Sequence, residues 1–242
     1  LAALVQFVLV WYVIRRLPLV PGAGDEAVPI KKVLTVGAPI ALTLLAEVGA
    51  FSLVGVLAAR IGPAAASGHQ VAINLASLTF TVSLGLAHAP GVRVGQAVGR
   101  ADAVSARRAG FAGLLATGLY MTATAIGFLA LAPWLARLMS NRAEVIAAAV
   151  PLLYVAAAFQ VFDGAQVVAA GALRGLGDTK YIQYANLFGY YVVGLPISLL
   201  LAFSLGWDER GLWWGLCVGL LTVAVLLIRK FEIVSRGPVA RL

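Results

Sequence analysis

Long apolar runs, separated by short polar connectors, dominate the chain. A helix that crosses the hydrocarbon core of a bilayer needs about 20 mostly apolar residues. Six runs meet this requirement, at residues 33–59, 66–89, 109–136, 145–171, 181–206 and 211–228. The pattern predicts six transmembrane helices in succession.

A seventh apolar run, residues 1–14, is too short to span a bilayer by itself. It lacks the basic region and the small-residue cleavage site of a signal peptide. We expect it to be the end of a truncated helix, so that the chain is a piece of a larger protein. We then expect a cytoplasmic linker at 15–32, a six-helix bundle at 33–231 and a cytoplasmic tail at 232–242.

The composition indicates an all-α integral membrane protein. Hydrophobic residues make up 62% of the chain and charged residues only 12%, whereas soluble domains carry about 25% charged residues. The mean hydropathy of +0.96 is too high for a soluble protein with a large core. The single cysteine, Cys217, excludes an internal disulfide and a CxxC metal or redox site.

The net charge of +8 would suit nucleic acid, but its distribution indicates a membrane orientation instead. Every Lys and Arg lies outside the apolar cores of the predicted spans. Alternate connectors carry 14 and 4 of them, and the richer side of a membrane protein faces the cytoplasm. The C-terminus is therefore predicted to be cytoplasmic, with no nucleic-acid partner. Aromatic residues favour membrane interfaces, and four tryptophans fall at predicted outer helix ends: Trp134, Trp207, Trp213 and Trp214.

Two acidic residues, Glu47 and Asp163, lie inside apolar runs, whereas the other eight fall in connectors or at helix ends. A charged group at the centre of a membrane helix costs about 2.5–3.5 kcal/mol on insertion scales. One interpretation is a structural contact between helices, or a carboxylic acid kept neutral by burial. The other is function, because neither acid has a basic partner in its own span. Unpaired carboxylates in an apolar setting favour proton uptake, and their oxygens also suit a hard cation such as Na⁺.

Other polar residues share helix faces and are candidates for lining a cavity. In the second run, a stripe recurs every three or four residues: Ser67, Gln70, Asn74, Ser77, Thr81, Gly85 and His88. The candidate cavity residues are Gln70, Asn74, Phe159, Gln166 and Asn186. The alternative is helix packing, which small and hydroxyl residues favour. Pro39 lies inside an apolar run and is a candidate hinge, and His69 is expected to be a helix-interface residue rather than a ligand.

No nucleotide-binding P-loop and no metal-ligand spacing around the histidines occurs in the sequence. We therefore expect neither an enzyme nor a bound cofactor beyond a coupling ion.

Three stretches resemble the multidrug and toxic compound extrusion (MATE) family. They are VGAPIALTLLAEVGAFSLVGVLAARIG (36–62), SGHQVAINLASLTFTVSLGLAHAPGVRVGQAVGRADAVSARRAG (67–110) and FQVFDGAQVVAAGALRGLGDTKY (159–181). MATE proteins have twelve helices in two six-helix lobes. The order and spacing of the three stretches fit the C-terminal lobe. This chain then corresponds to the end of helix six, the linker and helices seven to twelve.

The resemblance implies an antiporter in the bacterial inner (plasma) membrane. Such a protein exports drugs or other toxic organic compounds, often cationic, in exchange for H⁺ or Na⁺. The residues that match the family's C-lobe cation site are Glu47 and Asp163, which would also be the metal ligands if the ion is Na⁺. The bacterial branch of the family that has this Glu on helix seven commonly has a tyrosine where this chain has Phe159. The missing phenol oxygen removes one possible Na⁺ ligand, which favours proton coupling. The implied partners are small organic substrates, membrane lipid and the missing N-terminal lobe.

Three rival functions remain. A lipid-linked oligosaccharide flippase of the same superfamily should have Lys or Arg in its cavity, and these spans contain none. A seven-helix receptor would need the first run to span the bilayer. A structural membrane subunit would leave both embedded carboxylates unexplained.

Overall fold

The computed structural model describes residues 2–16 and 30–237, and every regular element in these ranges is helical. The helices are α1 (Ala2–Arg16), α2 (Ile30–Ile61), α3 (Pro63–Gly99), α4 (Ala103–Met139), α5 (Ala143–Gly175), α6 (Thr179–Ser204) and α7 (Asp208–Val234). Most of the predicted linker at 15–32 and the end of the predicted tail lie outside the described residues.

Six of these helices, α2 to α7, are long and apolar enough to cross a membrane. This confirms the prediction of an all-α bundle with six transmembrane helices. The chain divides into two compact units, residues 1–37 and 38–242. The first unit contains α1, an apolar helix on which the Arg15 guanidinium lies 3.8 Å from the centre of the Trp11 ring. The second contains the five helices α3 to α7 and most of α2.

Several helices extend well past the predicted apolar runs. Helix α3 continues past the apolar run at 66–89, through Pro90 to Gly99. Arg93, Arg107 and Arg174 are accordingly helical rather than parts of connectors. Long basic side chains extend from helix ends toward the polar headgroup region, so a helix can continue beyond the apolar run that marks the hydrocarbon core.

Helix α5 lies at the centre of the bundle and packs against α3, α4 and α7. Glycines permit its closest approach to α3. A Cβ atom on Gly171 would lie 2.8 Å from the Ala87 carbonyl oxygen, and one on Gly175 would lie 2.5 Å from the Gly91 carbonyl oxygen. The two backbones are thus nearly in contact, which is how small residues pack membrane helices.

The turn between α5 and α6 contains the segment GLGD at 175–178. Gly177 has φ of +86°, a left-handed conformation that glycine adopts without steric cost. The Asp178 side chain then caps α6 by accepting a hydrogen bond of 3.3 Å from the Tyr181 backbone N–H. Lys230 forms a salt bridge of 3.3 Å with Asp178, which ties this turn to the end of α7.

The turn between α3 and α4 is closed in a similar way. Asp102 precedes α4, and its carboxylate accepts a hydrogen bond of 2.9 Å from the Ser105 backbone N–H. Hydrogen bonding to Ser105 holds the pKa of Asp102 below its ordinary value, because the bond favours the ionised carboxylate. The capping acid also suits the positive end of the helix dipole.

Helix α6 is irregular, since Phe188–Gly194 and Leu200–Ser204 are π-helical. Its glycines lie against α7, where a Cβ on Gly194 would be 3.1 Å from the Gly219 Cα. The Ser198 hydroxyl donates a hydrogen bond of 2.9 Å to the Leu212 carbonyl of α7. The wider π turns therefore occur in the part of α6 that packs closely on α7.

Candidate functional site

A cavity of about 580 Å³ opens between α2, α3 and α5. It brings together six residues that carry its chemistry: Glu47, Phe51, His69, Gln70, Phe159 and Asp163. Its walls are otherwise mainly aliphatic and aromatic, so the carboxylates are the strongest polar groups within it.

The two embedded acids line this one cavity although 116 positions separate Glu47 and Asp163 in the sequence. Glu47 is half-buried, whereas Asp163 is only 5% exposed. The two carboxyl groups are close enough to interact electrostatically. In the part of the chain that the structure describes, neither forms a salt bridge. Arg174, at the end of α5, acts on Glu47 through its electrostatic field rather than by direct contact.

Polar groups on α5 extend on both sides of Asp163. On one side, the Gln160 side-chain oxygen accepts hydrogen bonds from the Thr79 hydroxyl at 2.5 Å and the Thr124 hydroxyl at 3.2 Å. These contacts join α5 to α3 and α4. Asp163 therefore projects from a helix whose orientation is fixed by partly buried hydrogen bonds.

On the other side of Asp163, an amide network joins α5 to α6. The Gln166 amide nitrogen donates to the Asn186 side-chain oxygen at 3.2 Å, and the Tyr190 hydroxyl donates to the Gln166 oxygen at 3.2 Å. Asn186 in turn donates to the Ile182 carbonyl at 2.8 Å. The side chains of Gln166, Asn186 and Tyr190 are all buried. Loss of a hydrogen bond in this network would leave a buried polar group without a partner, which destabilises the fold.

Aromatic rings form a connected wall beside the carboxylates. Phe51 of α2 meets Phe159 at 6.0 Å and Tyr190 at 6.2 Å between ring centres, both edge to face. Phe159 also meets Trp213 of α7 at 5.8 Å. Edge-to-face pairs at these distances are favourable beyond simple burial. They position α2 against the rest of the bundle through side chains.

Trp213 is part of the core, so the prediction that it belongs to the outer aromatic belt is wrong. It is 1% exposed, and its indole N–H donates a hydrogen bond of 3.2 Å to His69 Nδ1. This pairing assigns the ring proton of a neutral His69 to Nε2, which lies near Gly55 at the cavity. The other three belt tryptophans, at positions 134, 207 and 214, are exposed.

The predicted cavity residues divide into two groups. Gln70 and Phe159 line the cavity with the two acids. Asn74 does not; it accepts a hydrogen bond of 3.0 Å from the Gln70 amide nitrogen and faces a separate groove shared with α4 and α5. Gln166 and Asn186 are also outside the lining, because they pair with each other in the buried amide network.

Pro39, the predicted hinge, is a buried residue inside α2. It has no backbone N–H to donate to the preceding turn, and its carbonyl accepts a hydrogen bond of 2.8 Å from the Thr43 hydroxyl. The helix nevertheless continues without a break from Ile30 to Ile61. The hinge remains a prediction.

The polar stripe of α3, predicted to line a cavity or to pack against another helix, is mostly exposed on this bundle. Asn74, Ser77, Thr81 and His88 are all exposed, while the buried face of α3 consists largely of alanine, glycine and valine. Small residues pack closely against α5, so the larger polar side chains are left on the outer face.

Two tyrosines of α6 belong to the site, although sequence reasoning did not single them out as site residues. Tyr190 reaches Gln166 beside Asp163, and the Tyr191 hydroxyl donates a hydrogen bond of 3.0 Å to the Ala46 carbonyl, next to Glu47. Adjacent residues of a regular helix point about 100° apart. Here both lie in a π-helical segment, which the sequence pattern did not indicate.

The fold is that of a multi-pass membrane protein, with six helices long enough to cross a bilayer and a cavity between three of them that holds two carboxylates. The chain belongs to the MATE family, because the family model described as MatE matches residues 39–200. This confirms the resemblance found in the sequence.

Known proteins from bacteria and eukaryotes are similar to this chain. The multidrug resistance protein NorM of Burkholderia vietnamiensis is 37% identical over 246 residues, which cover 98% of this chain and 53% of NorM. A probable NorM of Xanthomonas campestris is 41% identical over 86% of this chain and 45% of its own length. The crystal structure of the eukaryotic MATE transporter AtDTX14 superposes with a TM-score of 0.78 at 26% identity, over 85% of this chain and 48% of AtDTX14. The chain thus spans about half the length of the relatives it matches.

Proposed function

We propose that this chain forms the C-terminal lobe of a secondary antiporter that exports organic, often cationic, compounds in exchange for H⁺ or Na⁺. The observation that supports this most strongly is the position of Glu47 and Asp163 in one cavity. The NorM relatives are named as multidrug resistance proteins, which supports drug export as the task of the whole protein.

The carboxylates supply the coupling. A proton or a Na⁺ ion that enters from outside neutralises Glu47 and Asp163 and changes which arrangement of the bundle is favoured. Since a ligand shifts a conformational equilibrium only through its different affinity for the two states, the cation and the exported compound must favour opposite states. Pro39 provides a place where α2 bends during this exchange.

The cavity suits a cationic and partly aromatic compound. Its acids attract positive charge, and Phe51, Phe80 and Phe159 present ring surfaces around them. Cations bind to aromatic faces as well as to carboxylates. None of the described lining residues is Lys or Arg, so the anionic head group of a lipid-linked oligosaccharide would have no basic partner. A flippase is therefore the weaker candidate.

We favour H⁺ as the coupling ion. Na⁺ needs several oxygen ligands, and the position one turn before Asp163 is occupied by Phe159, which has none. The Tyr190 hydroxyl is already committed to Gln166 at 3.2 Å. Two carboxylates in an apolar cavity need no further ligand to take up a proton.

The exposed polar stripe of α3 supports a second lobe as the partner of this one. A polar helix face in a membrane should meet protein or a water-filled cavity rather than lipid. The asymmetry of basic residues supports a cytoplasmic C-terminus, and the bacterial NorM relatives support a location in the inner membrane. Drug passage would then occur between the two lobes, beside Gln70 and Ser77.

Dye efflux tests this proposal in cells that lack their own drug exporters and express the natural full-length protein. We expect Glu47→Gln and Asp163→Asn to abolish the efflux of ethidium, because neither amide releases a proton. Glu144→Gln is the matched control, since Glu144 is an exposed acid at the start of α5 that pairs with Arg142. Membrane insertion is checked by fluorescence of a fused reporter. Wild-type efflux from both cavity variants would refute the proposal.

A further inference from the structure

A second cavity, of about 650 Å³, lies between the C-terminal half of α3 and the N-terminal half of α4. This α3–α4 groove does not involve the carboxylate cavity or the proposed transport function. Its lining includes three basic residues, Arg93, Arg100 and Arg108, and an apolar part that contains Leu86, Pro90 and Ala116.

The three arginines of the groove have exposed side chains and no carboxylate partner at salt-bridge distance among the residues that the structure describes. Three other basic groups at the same end of the bundle are paired: Arg107 and Arg236 with Glu232, and Lys230 with Asp178. Asp102 exerts an electrostatic influence on Arg100, but its carboxylate caps α4 and does not line the groove. The rim of the groove, formed by Arg93, Arg100 and Arg108, therefore has a net positive charge.

Below the arginines, the lining of the groove is apolar. Its walls are lined by small side chains such as Ala89 and Ala112, which leave room between the two helices. Its floor is closed because Pro90 packs on α4, where a Cβ on Gly113 would lie 2.6 Å from the Pro90 Cγ. From Arg93 to Leu86, α3 extends by about 10 Å, a length that accommodates the first part of an acyl chain.

We propose that the α3–α4 groove binds one anionic phospholipid, with its phosphate on Arg93, Arg100 and Arg108 and one acyl chain along Leu86 and Ala116. Guanidinium groups bind phosphate oxygens through paired hydrogen bonds. This end of the bundle is the one with the excess of basic residues, and anionic lipids of the facing leaflet bind in basic pockets between membrane helices. A free phosphate would bind only to the rim and would leave the apolar part of the groove empty.

Native mass spectrometry of the natural full-length protein in detergent tests this site. The probes are phosphatidylglycerol and phosphatidylcholine with the same acyl chains. We expect wild type to retain one phosphatidylglycerol tightly and phosphatidylcholine weakly. The variant Arg93→Gln/Arg100→Gln/Arg108→Gln should bind phosphatidylglycerol about 30-fold or more weakly, because each basic contact strengthens binding several-fold. Arg107→Gln/Arg229→Gln/Arg236→Gln removes the same charge from the same end and should change the affinity by less than about threefold.

The variant Ala116→Trp distinguishes binding of a lipid from binding of a free phosphate, because the indole fills the apolar part of the groove and leaves the arginines in place. It should weaken phosphatidylglycerol binding without changing the binding of acyl-free glycerol 1-phosphate, and melting in lipid-free detergent reports whether each variant is folded. Three results would overturn the proposal: equal losses in the two arginine triples, equal retention of the two lipids by wild type, or tight binding by folded Ala116→Trp.

Discussion

At the residue scale, the His69 and Trp213 pair joins α3 to α7 across the core. The indole N–H donates to His69 Nδ1 at 3.2 Å, and both side chains are buried. Trp213→Phe keeps a ring in place but removes the donor. Because an unsatisfied buried acceptor costs about 1–3 kcal/mol, we expect this variant to lower the thermal stability of the purified protein.

A double-mutant cycle checks this prediction. His69→Phe removes the acceptor, and the double variant should be more stable than the sum of the two single losses indicates. Trp214→Phe is the control, because Trp214 lies next to Trp213 in α7 but is 40% exposed. Additive losses in the cycle would show that the hydrogen bond has no measurable role.

The sequence identified the two acids of the cavity but not the contacts around them. A carboxylate within an apolar run is conspicuous by composition alone, so Glu47 and Asp163 could be selected without a structure. The partners of Trp213 and Gln166 could not, because periodicity shows which face of a helix a residue occupies but not which helix faces it. Trp213 at a helix end was consequently assigned to the membrane surface.

At the scale of elements, the contact between α3 and α5 depends on residues without side chains. A Cβ on Gly171 would lie 2.8 Å from the Ala87 carbonyl oxygen, and a backbone atom cannot move aside like a flexible side chain. Gly171→Leu should therefore force the two helices apart. We expect a loss of stability larger than the 1–3 kcal/mol typical of overpacking, measured by thermal melting on size-exclusion chromatography.

Gly118→Leu is the matched control for this prediction. Gly118 lies within α4, and a Cβ there would meet nothing within 4 Å. The same substitution should leave the melting temperature nearly unchanged or raise it, because glycine is a poor helix former. If both variants melted alike, close packing of α3 on α5 would not determine the stability of the bundle.

The number and order of the helices were predictable, but their ends and irregularities were not. Six apolar runs gave six spans because a bilayer sets a minimum length. The apolar run of α3 ends at residue 89, yet the helix continues, and Pro90 packs against Gly113 within it. The π-helical turns of α6 occur where it packs on α7, and the hydrophobic period gives no signal for them.

At the scale of the whole molecule, the polar face of α3 should line a water-filled passage. Ser77 and Leu78 are adjacent and both exposed on this bundle, but they point about 100° apart. We expect Ser77→Cys to react with a membrane-impermeant maleimide and Leu78→Cys to be protected by lipid. The background is a cysteine-free full-length protein, which in this chain requires only Cys217→Ala. Equal labelling rates at the two positions would contradict a water-lined face at Ser77.

The central claim, that Glu47 and Asp163 couple cation entry to export, is tested most directly by transport in proteoliposomes. The natural full-length protein is given a pH gradient in Na⁺-free buffer, and separately a Na⁺ gradient at constant pH. We predict that the pH gradient alone drives uphill movement of a cationic dye, and that Asp163→Asn, reconstituted to the same level, stops it. Transport by Asp163→Asn at the wild-type rate under either gradient would contradict the account.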